Sequence, residues 1–364
     1  MAELIIPDEW REAAEAIVAG EARRRVVMVI GATDTGKSTF AAYLASCLQQ
    51  TGARTAVIDT DLGQSNIGPP GVIGLGILPG PVSGLSQVPL AAYFVGSTSP
   101  VGHLLATVIG ARRMLDRARA LGAEAVVVDT SGLVQDGVGR ELKERKAELL
   151  APSHVVALRR GTELEPLLRP WRVLGRPTLL ELAPSPAAQR RSPEERRAYR
   201  MAQFRRYFRE GRLVGLSLAR VALRGTRLGQ GRRLSDDLLR ALARALDVDV
   251  LYAETDGEVA TLLTMGMPGL AGRDAARDAL RPSGIGEVAV IPFARLSGLL
   301  LGLLDERDAL LGLGLLQDLD LASGRVQVLT PVKEMERVRQ IRFGFLRLQP
   351  DGTEEEVLRP GTFG

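Results

Sequence analysis

The stretch that most limits what this chain can fold into is "RRRVVMVIGATDTGKSTFAAYLASCLQQTG", residues 23–52. An apolar run of strand length enters a loop of glycine and small polar residues. A helix-forming run follows at once and is stopped by Gly52. Gly31, Gly36, Lys37 and Ser38 fill G-x-x-x-x-G-K-[ST] position by position. Such a loop curls its backbone N–H groups around a phosphate, and the following helix adds the positive end of its dipole. Lys37 is placed to reach the β- and γ-phosphates, and the Ser38 hydroxyl is a natural Mg²⁺ ligand.

Further strand candidates alternate with helical runs: "RTAVID" (54–59), "AAYFVG" (91–96), "AEAVVVDTSG" (123–132), "SHVVALRR" (153–160) and "RPTLLELA" (176–183). Apolar strands alternating with helices predict an α/β fold of P-loop NTPase type. Its sheet is doubly wound and mostly parallel, with helices on both faces. The glycine- and proline-rich stretch 63–90 excludes regular helix and is expected to be a loop or the border of a site. Beyond residue 213 short strands and turns predict a smaller β-rich domain. The expected division is a short helical segment at 1–25, a P-loop domain at 26–212 and a β-rich domain at 213–364.

A single cysteine, Cys47, excludes an intrachain disulfide and a cysteine-cluster metal site. The most apolar stretch, 297–317, is interrupted by Asp305, Glu306, Arg307 and Asp308, so no membrane span is expected. With no signal-peptide pattern at Met1 either, the expected location is cytoplasmic. Net charge is only +4, yet residues 190–212 carry nine arginines against three glutamates. One basic segment on a near-neutral body suggests a local anion site. Among 47 basic residues, lysine occurs only at 37, 143, 146 and 333, which makes Lys37 conspicuous.

Two further strand candidates end in carboxylates. In "VVVDTSG", Asp129 has the position of a second nucleotide motif that holds Mg²⁺ through water. In "AVIDTDLGQ", Asp59 and Asp61 are two residues apart, so along an extended chain they face the same side. One of them can structure the loop or metal shell while the other faces the acceptor and takes its hydroxyl proton.

These pieces resemble the polynucleotide 5′-hydroxyl kinases of the RNA cleavage-factor and ribosomal-RNA-processing type. The resemblance rests on "GATDTGKST", "DTDLGQSNIGPPG", "YFVGSTSPVGH", "VVVDTSGLVQDGVG", "PSHVVAL" and "RSPEERRAYRMAQFRRYF", and more loosely on "GLGLLQDLDLASGRVQVLTPV". It covers residues 25–212 well and 213–350 loosely. It implies transfer of the γ-phosphate of ATP or GTP, with Mg²⁺, to the 5′-OH of single-stranded RNA or DNA. By matching position, Gly31, Thr33, Asp34, Thr35, Gly36, Lys37, Ser38 and Thr39 hold the nucleotide. Ser38 and Asp129 hold the metal, and Asp61 is the general base. Arg191, Arg196 and Arg200 fall on a lid that closes over the phosphates. Asp59, Gln64, Thr98 and Ser99 lie on the substrate side. Two departures are visible: Leu133 stands where the family commonly has a base-stacking aromatic, and about 25 residues precede the phosphate-loop strand where eukaryotic members carry a nucleobase-covering domain, so relaxed selectivity for the nucleotide base is expected.

The lid is also legible without the family. Ser192-Pro193-Glu194-Glu195 is a capping box with proline at the first helical position. On the helix it starts, Arg196 and Arg200 lie one turn apart, beside an apolar stripe of Met201, Phe204 and Phe208. Arginines so spaced suit the equatorial oxygens of a transferring phosphoryl group. Arg205 and Arg206 are candidates to follow a nucleic acid backbone. Two other readings compete with a kinase: a P-loop ATPase or GTPase switch acting through a protein partner, and a weakly active RNA-binding scaffold. A switch requires a γ-phosphate sensor but no basic acceptor channel.

Overall fold

In a computed structural model, residues 6–20, 25–77 and 89–363 are described. The chain divides into two compact units, Met1–Gln203 and Phe204–Gly364.

The first unit is built on β1 (Arg25–Gly31), β2 (Thr55–Asp59), β3 (Val72–Ile77), β4 (Ala91–Phe94), β5 (Ala125–Asp129), β6 (His154–Leu158) and β7 (Thr178–Leu182). They form one sheet in the order β4-β3-β2-β5-β1-β6-β7. Strands β2, β5, β1, β6 and β7 run parallel, while β3 and β4 are added antiparallel at one edge. Five helices accompany the sheet: α1 (Asp8–Ala19), α2 (Lys37–Gln50), α3 (Leu104–Ala120), α4 (Asp136–Leu150) and α5 (Glu165–Leu174).

Alternate residues of β1 serve opposite cores, as strand geometry requires. Val27 and Val29 pack with Trp10, Ile17, Phe40 and Leu44 of α1 and α2. Met28 and Ile30 pack with Ala147 of α4 and with Leu167 and Leu168 of α5. Val26 joins Ala111, Leu115 and Ala118 of α3. Both faces of the sheet are thus covered, which is why its strands read as unbroken apolar runs. The first helix belongs to this core: Trp10 is fully buried, lies edge-on to Phe40 at 5.3 Å, and donates its indole N–H to the Ala183 carbonyl at 2.9 Å. A buried side chain of that size contributes roughly 1.5–3 kcal/mol by the transfer of its surface from water.

A sixth helix, α6 (Pro193–Phe208), begins in the first unit and ends in the second. The division between units falls inside the arginine-rich helix. Phe204 and Phe208 are buried and Met201 only partly so.

The second unit contains two sheets. One has the order β10 (Arg232–Arg233), β11 (Val250–Thr255), β12 (Val259–Thr264), β13 (Glu287–Pro292), and α7 (Asp236–Leu246) and α8 (Leu270–Leu280) contribute to its core. The other has seven strands: β8 (Arg212–Ser217), β9 (Ala222–Arg224), β14 (Leu299–Leu304), β15 (Leu310–Asp320), β16 (Arg325–Thr330), β17 (Gln340–Leu348) and β18 (Glu354–Val357). The β-rich expectation thus gains two helices. The apolar stretch 297–317 is the β14–β15 hairpin, and the charges that interrupt it make the turn. Asp305 N–H donates to the Ala309 carbonyl there, and Asp308 has φ 60°. No helix among the described residues is long and apolar enough to cross a membrane.

Candidate active site

Successive crossovers leave β1 and β5, which are neighbours, toward opposite faces of the sheet. The crevice at their carboxyl ends is where an open α/β sheet takes a ligand. Gly31 ends β1 and Asp129 ends β5, with Asp59 opposite Asp129 at the end of β2. A cavity of about 390 Å³ opens at this place. Thr33, Asp34, Gly36, Lys37, Ser38, Thr39, Asp61, Gln64 and Arg191 all line it. Residues drawn from the phosphate loop, the β2 loop and the lid therefore share one space.

The loop takes its shape at Gly36, where φ is +90° and a Cβ would come within 2.9 Å of the Trp10 ring. Only glycine suits both conditions. Thr35 is buried and donates to the Ala32 carbonyl at 2.9 Å. Lys37 starts α2, is 7% exposed, and donates Nζ to the same carbonyl at 2.7 Å. Burial lowers its pKa, while Asp129, Asp61 and Asp34 act in the opposite sense. Gly132 is held against this loop so closely that a Cβ there would lie 2.4 Å from Thr33 Oγ1. Leu133 follows, partly buried. Arg160, which the sequence did not single out, sits just beyond β6 and donates to the carbonyls of Thr33 and Asp34.

Asp129 is 3% exposed, and its Oδ1 has no hydrogen-bond partner. Burial pushes its pKa up to about 6, against the Ser38 hydroxyl bond and the Lys37 charge. A buried carboxylate oxygen without a donor, beside a hydroxyl at a phosphate loop, is a donor set that fits Mg²⁺ carried with a triphosphate. No cluster of three or more His, Cys, Asp or Glu suited to hold a metal occurs among the described residues. The pair therefore suits an ion that the substrate phosphates help to coordinate.

The two carboxylates of "DTD" have different surroundings. Strand β2 ends at Asp59, and Asp61 belongs to the loop that follows. Asp59 is 1% exposed, and both its oxygens serve the loop. Oδ1 accepts from Asp61 N–H at 2.9 Å; Oδ2 accepts from the N–H groups of Asn66 and Ile67 at 2.5 and 3.3 Å and from Ser65 Oγ at 3.4 Å. Asp59 thus braces the loop from inside, and it is not among the residues that line the cavity. Asp61 lines the cavity, and its Oδ1 accepts from Gly63 and Gln64 N–H, both at 3.0 Å. Its Oδ2 takes neither bond.

Thr98 and Ser99 are partly buried and border this loop; the Thr98 carbonyl would lie 2.9 Å from a Cβ on Gly63. Ser99 N–H donates to Ser97 Oγ at 3.2 Å. Neither is among the residues lining the cavity.

The capping box forms as read: Ser192 N–H donates to Glu195 Oε2 at 2.6 Å, and Glu195 N–H to Ser192 Oγ at 3.2 Å. What the sequence could not show is where the lid lands. Arg196 Nη2 meets Asp34 Oδ2 at 2.6 Å, and Arg191 N–H donates to the same oxygen at 3.0 Å. Arg191 also reaches Gln64 Oε1 at 3.3 Å, with its guanidinium 5.5 Å from the Tyr199 ring centre. Gln64 Nε2 donates to the Arg196 carbonyl at 3.2 Å. Arg200 passes beside Gly63. The lid thus grips both the phosphate loop and the Asp61 loop. Further along α6, Arg205 donates to the Asp351 carbonyl at 3.0 Å, which engages it within its own unit.

A phosphate grip on a central parallel strand, a second acidic strand end and a basic lid together define a P-loop NTPase-type domain. Comparison with known proteins narrows this. Residues 31–210 match the family described as the mRNA cleavage and polyadenylation factor CLP1 P-loop. The chain is 36% identical over 334 residues to a polyribonucleotide 5′-hydroxyl-kinase of Thermococcus kodakarensis, covering 92% of this chain and 91% of that one. It is 33% identical over 357 residues to one of Pyrococcus furiosus, covering 97% and 96%. A solved structure of a Clp1p–Pcf11p complex superposes with a TM-score of 0.57 at 14% identity, covering 92% of this chain and 77% of that one. The chain belongs to the polyribonucleotide 5′-hydroxyl-kinase family.

Proposed function

We propose that the protein transfers the γ-phosphate of ATP or GTP to the 5′-hydroxyl end of RNA, and that single-stranded DNA ends are accepted as well. The observation that carries this is the shared cavity. Asp61, a carboxylate with one oxygen outside the loop's own bonds, lines the same space as Lys37 and Ser38 under a basic lid. A nucleotide switch requires a γ-phosphate sensor but no such acceptor-side carboxylate.

In the reaction the 5′ oxygen bonds to the γ-phosphorus, the bond from γ-phosphorus to the β–γ bridging oxygen breaks, and the nucleoside diphosphate leaves. The hydroxyl proton passes to Asp61. Lys37 offsets charge on the β- and γ-phosphates, and the lid arginines offset charge on the equatorial oxygens. Ser38 and Asp129 would hold Mg²⁺, whose charge lowers the cost of bringing an oxygen nucleophile to a triphosphate. The direct test is incubation with γ-labelled ATP and matched oligonucleotides. Label should appear on 5′-OH RNA and not on the same RNA bearing a 5′-phosphate. Equal labelling of both would reject a 5′-end kinase.

The lid makes a separate prediction. Arg196 and Arg200 stabilise charge that develops in the transition state, so replacing either by alanine should act on turnover more than on binding. We expect kcat to fall by roughly 10- to 10³-fold with a modest change in the KM for ATP. Steady-state kinetics on each variant checks this, and a loss confined to KM would make the lid a ground-state clamp.

A further inference from the structure

Three of the chain's four lysines are buried in the first unit: Lys37 at 7% exposure, Lys143 and Lys146 at zero. Lys37 belongs to the phosphate grip. Lys143 and Lys146 have no part in it. They lie three residues apart on α4, hence on one face. Lys143 Nζ donates to the Ser131 carbonyl at 2.6 Å and reaches Ser131 Oγ at 3.4 Å. Lys146 Nζ donates to Thr60 Oγ1 at 2.6 Å. Thr60 in turn gives both its hydroxyl (2.9 Å) and its N–H (3.0 Å) to the carbonyl of Asp129.

Taking two ammonium groups out of water beside each other is unfavourable, and burial depresses both pKa values, Lys146 to about 8. Both bonds end on neutral oxygens, and neither lysine forms an ion pair among the described residues. Leucine or methionine would fill the same space without that cost. What the lysines do hold is specific. Thr60 sits between Asp59 and Asp61, and Ser131 lies two residues after Asp129 and next to Gly132, which abuts Thr33. One helix face therefore fastens both backbone segments that carry the reacting-side carboxylates.

We propose that Lys143 and Lys146 are positioning residues of the kinase reaction, Lys146 setting Asp61 through the Thr60 hydroxyl and Lys143 setting the turn after Asp129 through the Ser131 carbonyl. The proposal rests on the kinase reading. Lysine serves here because its compact head on a flexible stem delivers several N–H donors into a closed space, where arginine's planar fork needs room. In a chain that otherwise uses arginine almost throughout, that requirement accounts for these two exceptions.

A double-mutant cycle on the full chain tests it, with Lys146→Met and Thr60→Val, singly and combined. The readouts are kcat, the KM for ATP and the thermal midpoint. Displacement of an acceptor-side group by a fraction of an ångström to an ångström costs up to about 10²-fold. We expect Lys146→Met to lower kcat by roughly 10- to 100-fold with the KM for ATP within about twofold. Thr60→Val should show the same loss, and the double variant should be no worse than Lys146→Met alone. Lys143→Met should likewise lower kcat without matching loss of the midpoint. Losses that multiply would show that Lys146 does not act through Thr60, and an unchanged kcat would leave both lysines as filling. Should Lys146→Met not fold, Thr60→Val decides alone, since it alters no charge: normal kcat overturns the proposal. Wild-type protein that labels 5′-OH RNA while Lys146→Met does so equally well sinks the positioning role and leaves the kinase reading standing. Wild-type protein that labels nothing removes the kinase reading and the positioning role with it.

Discussion

Lys37→Ala should abolish detectable phosphoryl transfer, a loss of at least about 10³-fold, while the chain keeps its fold with little change in thermal midpoint. The two halves of this expectation have separate causes. Loss of one preorganised donor to a developing anion costs on the order of 10²–10³ in rate, and Lys37 brings a full charge besides. The Lys37 side chain is 7% exposed and bonded to the Ala32 carbonyl, so its burial is costly, while its attraction to Asp129, Asp61 and Asp34 offsets that cost. Alanine removes both the desolvation cost and the attraction, so the fold should persist. Activity and thermal melting measured on one preparation check both halves. Normal turnover with normal nucleotide affinity would remove the phosphate grip from the account.

Asp61→Asn is the second large effect. Asparagine keeps a carbonyl oxygen where Oδ1 now accepts from Gly63 and Gln64, so the loop should persist and ATP binding with it. What goes is the proton acceptor, worth roughly 10²–10⁴ in kcat for a positioned base. Asp59→Asn should behave differently. Its two oxygens take three backbone N–H groups and the Ser65 hydroxyl, and an amide group must turn NH₂ toward some of those donors. The expected result is a loosened loop, with stability lower by about 1–3 kcal/mol for the group left unpaired and a raised KM for the oligonucleotide. If Asp59→Asn lost turnover with normal stability while Asp61→Asn worked normally, the roles would be exchanged.

These two carboxylates also show where sequence reasoning stopped. Alternation predicts which residues share a face, but it does not say that Asp59 is buried within the loop while Asp61 lines the cavity. The loop that follows is held by side chain-to-backbone bonds, which have no period to read. The phosphate loop, by contrast, was fully legible, because its glycines, Lys37 and Ser38 are fixed by contact with one ligand shape. The doubly wound sheet was legible for a similar reason: strands buried on both faces must be continuously apolar. Strand β3 was not, since its "GLG" core sits in a run of glycine and proline that reads as loop. Helix α7 announces itself by the Ser235 cap, whose side chain accepts from Leu238 N–H, but strand patterns on both sides drew the expectation toward β.

Long-range partners were beyond reach. The capping box at Ser192 predicts where the lid helix starts, but nothing local says that Arg196 meets Asp34, 162 positions earlier. Lys143 and Lys146 are an intermediate case. Their rarity in an arginine-rich chain was visible, but their burial is seen only in the folded chain.

A 5′-end kinase delivers the γ-phosphate to a 5′-hydroxyl and not to water or a partner protein. The most direct measurement is stoichiometric: nucleoside diphosphate, inorganic phosphate and 5′-phosphorylated RNA quantified in the same reaction, with and without 5′-OH RNA. Diphosphate should form only when the acceptor is present, mole for mole with new RNA 5′-phosphate and with no inorganic phosphate released. Diphosphate and inorganic phosphate accumulating together without RNA, at a rate that 5′-OH ends do not change, would contradict it and identify a hydrolytic switch.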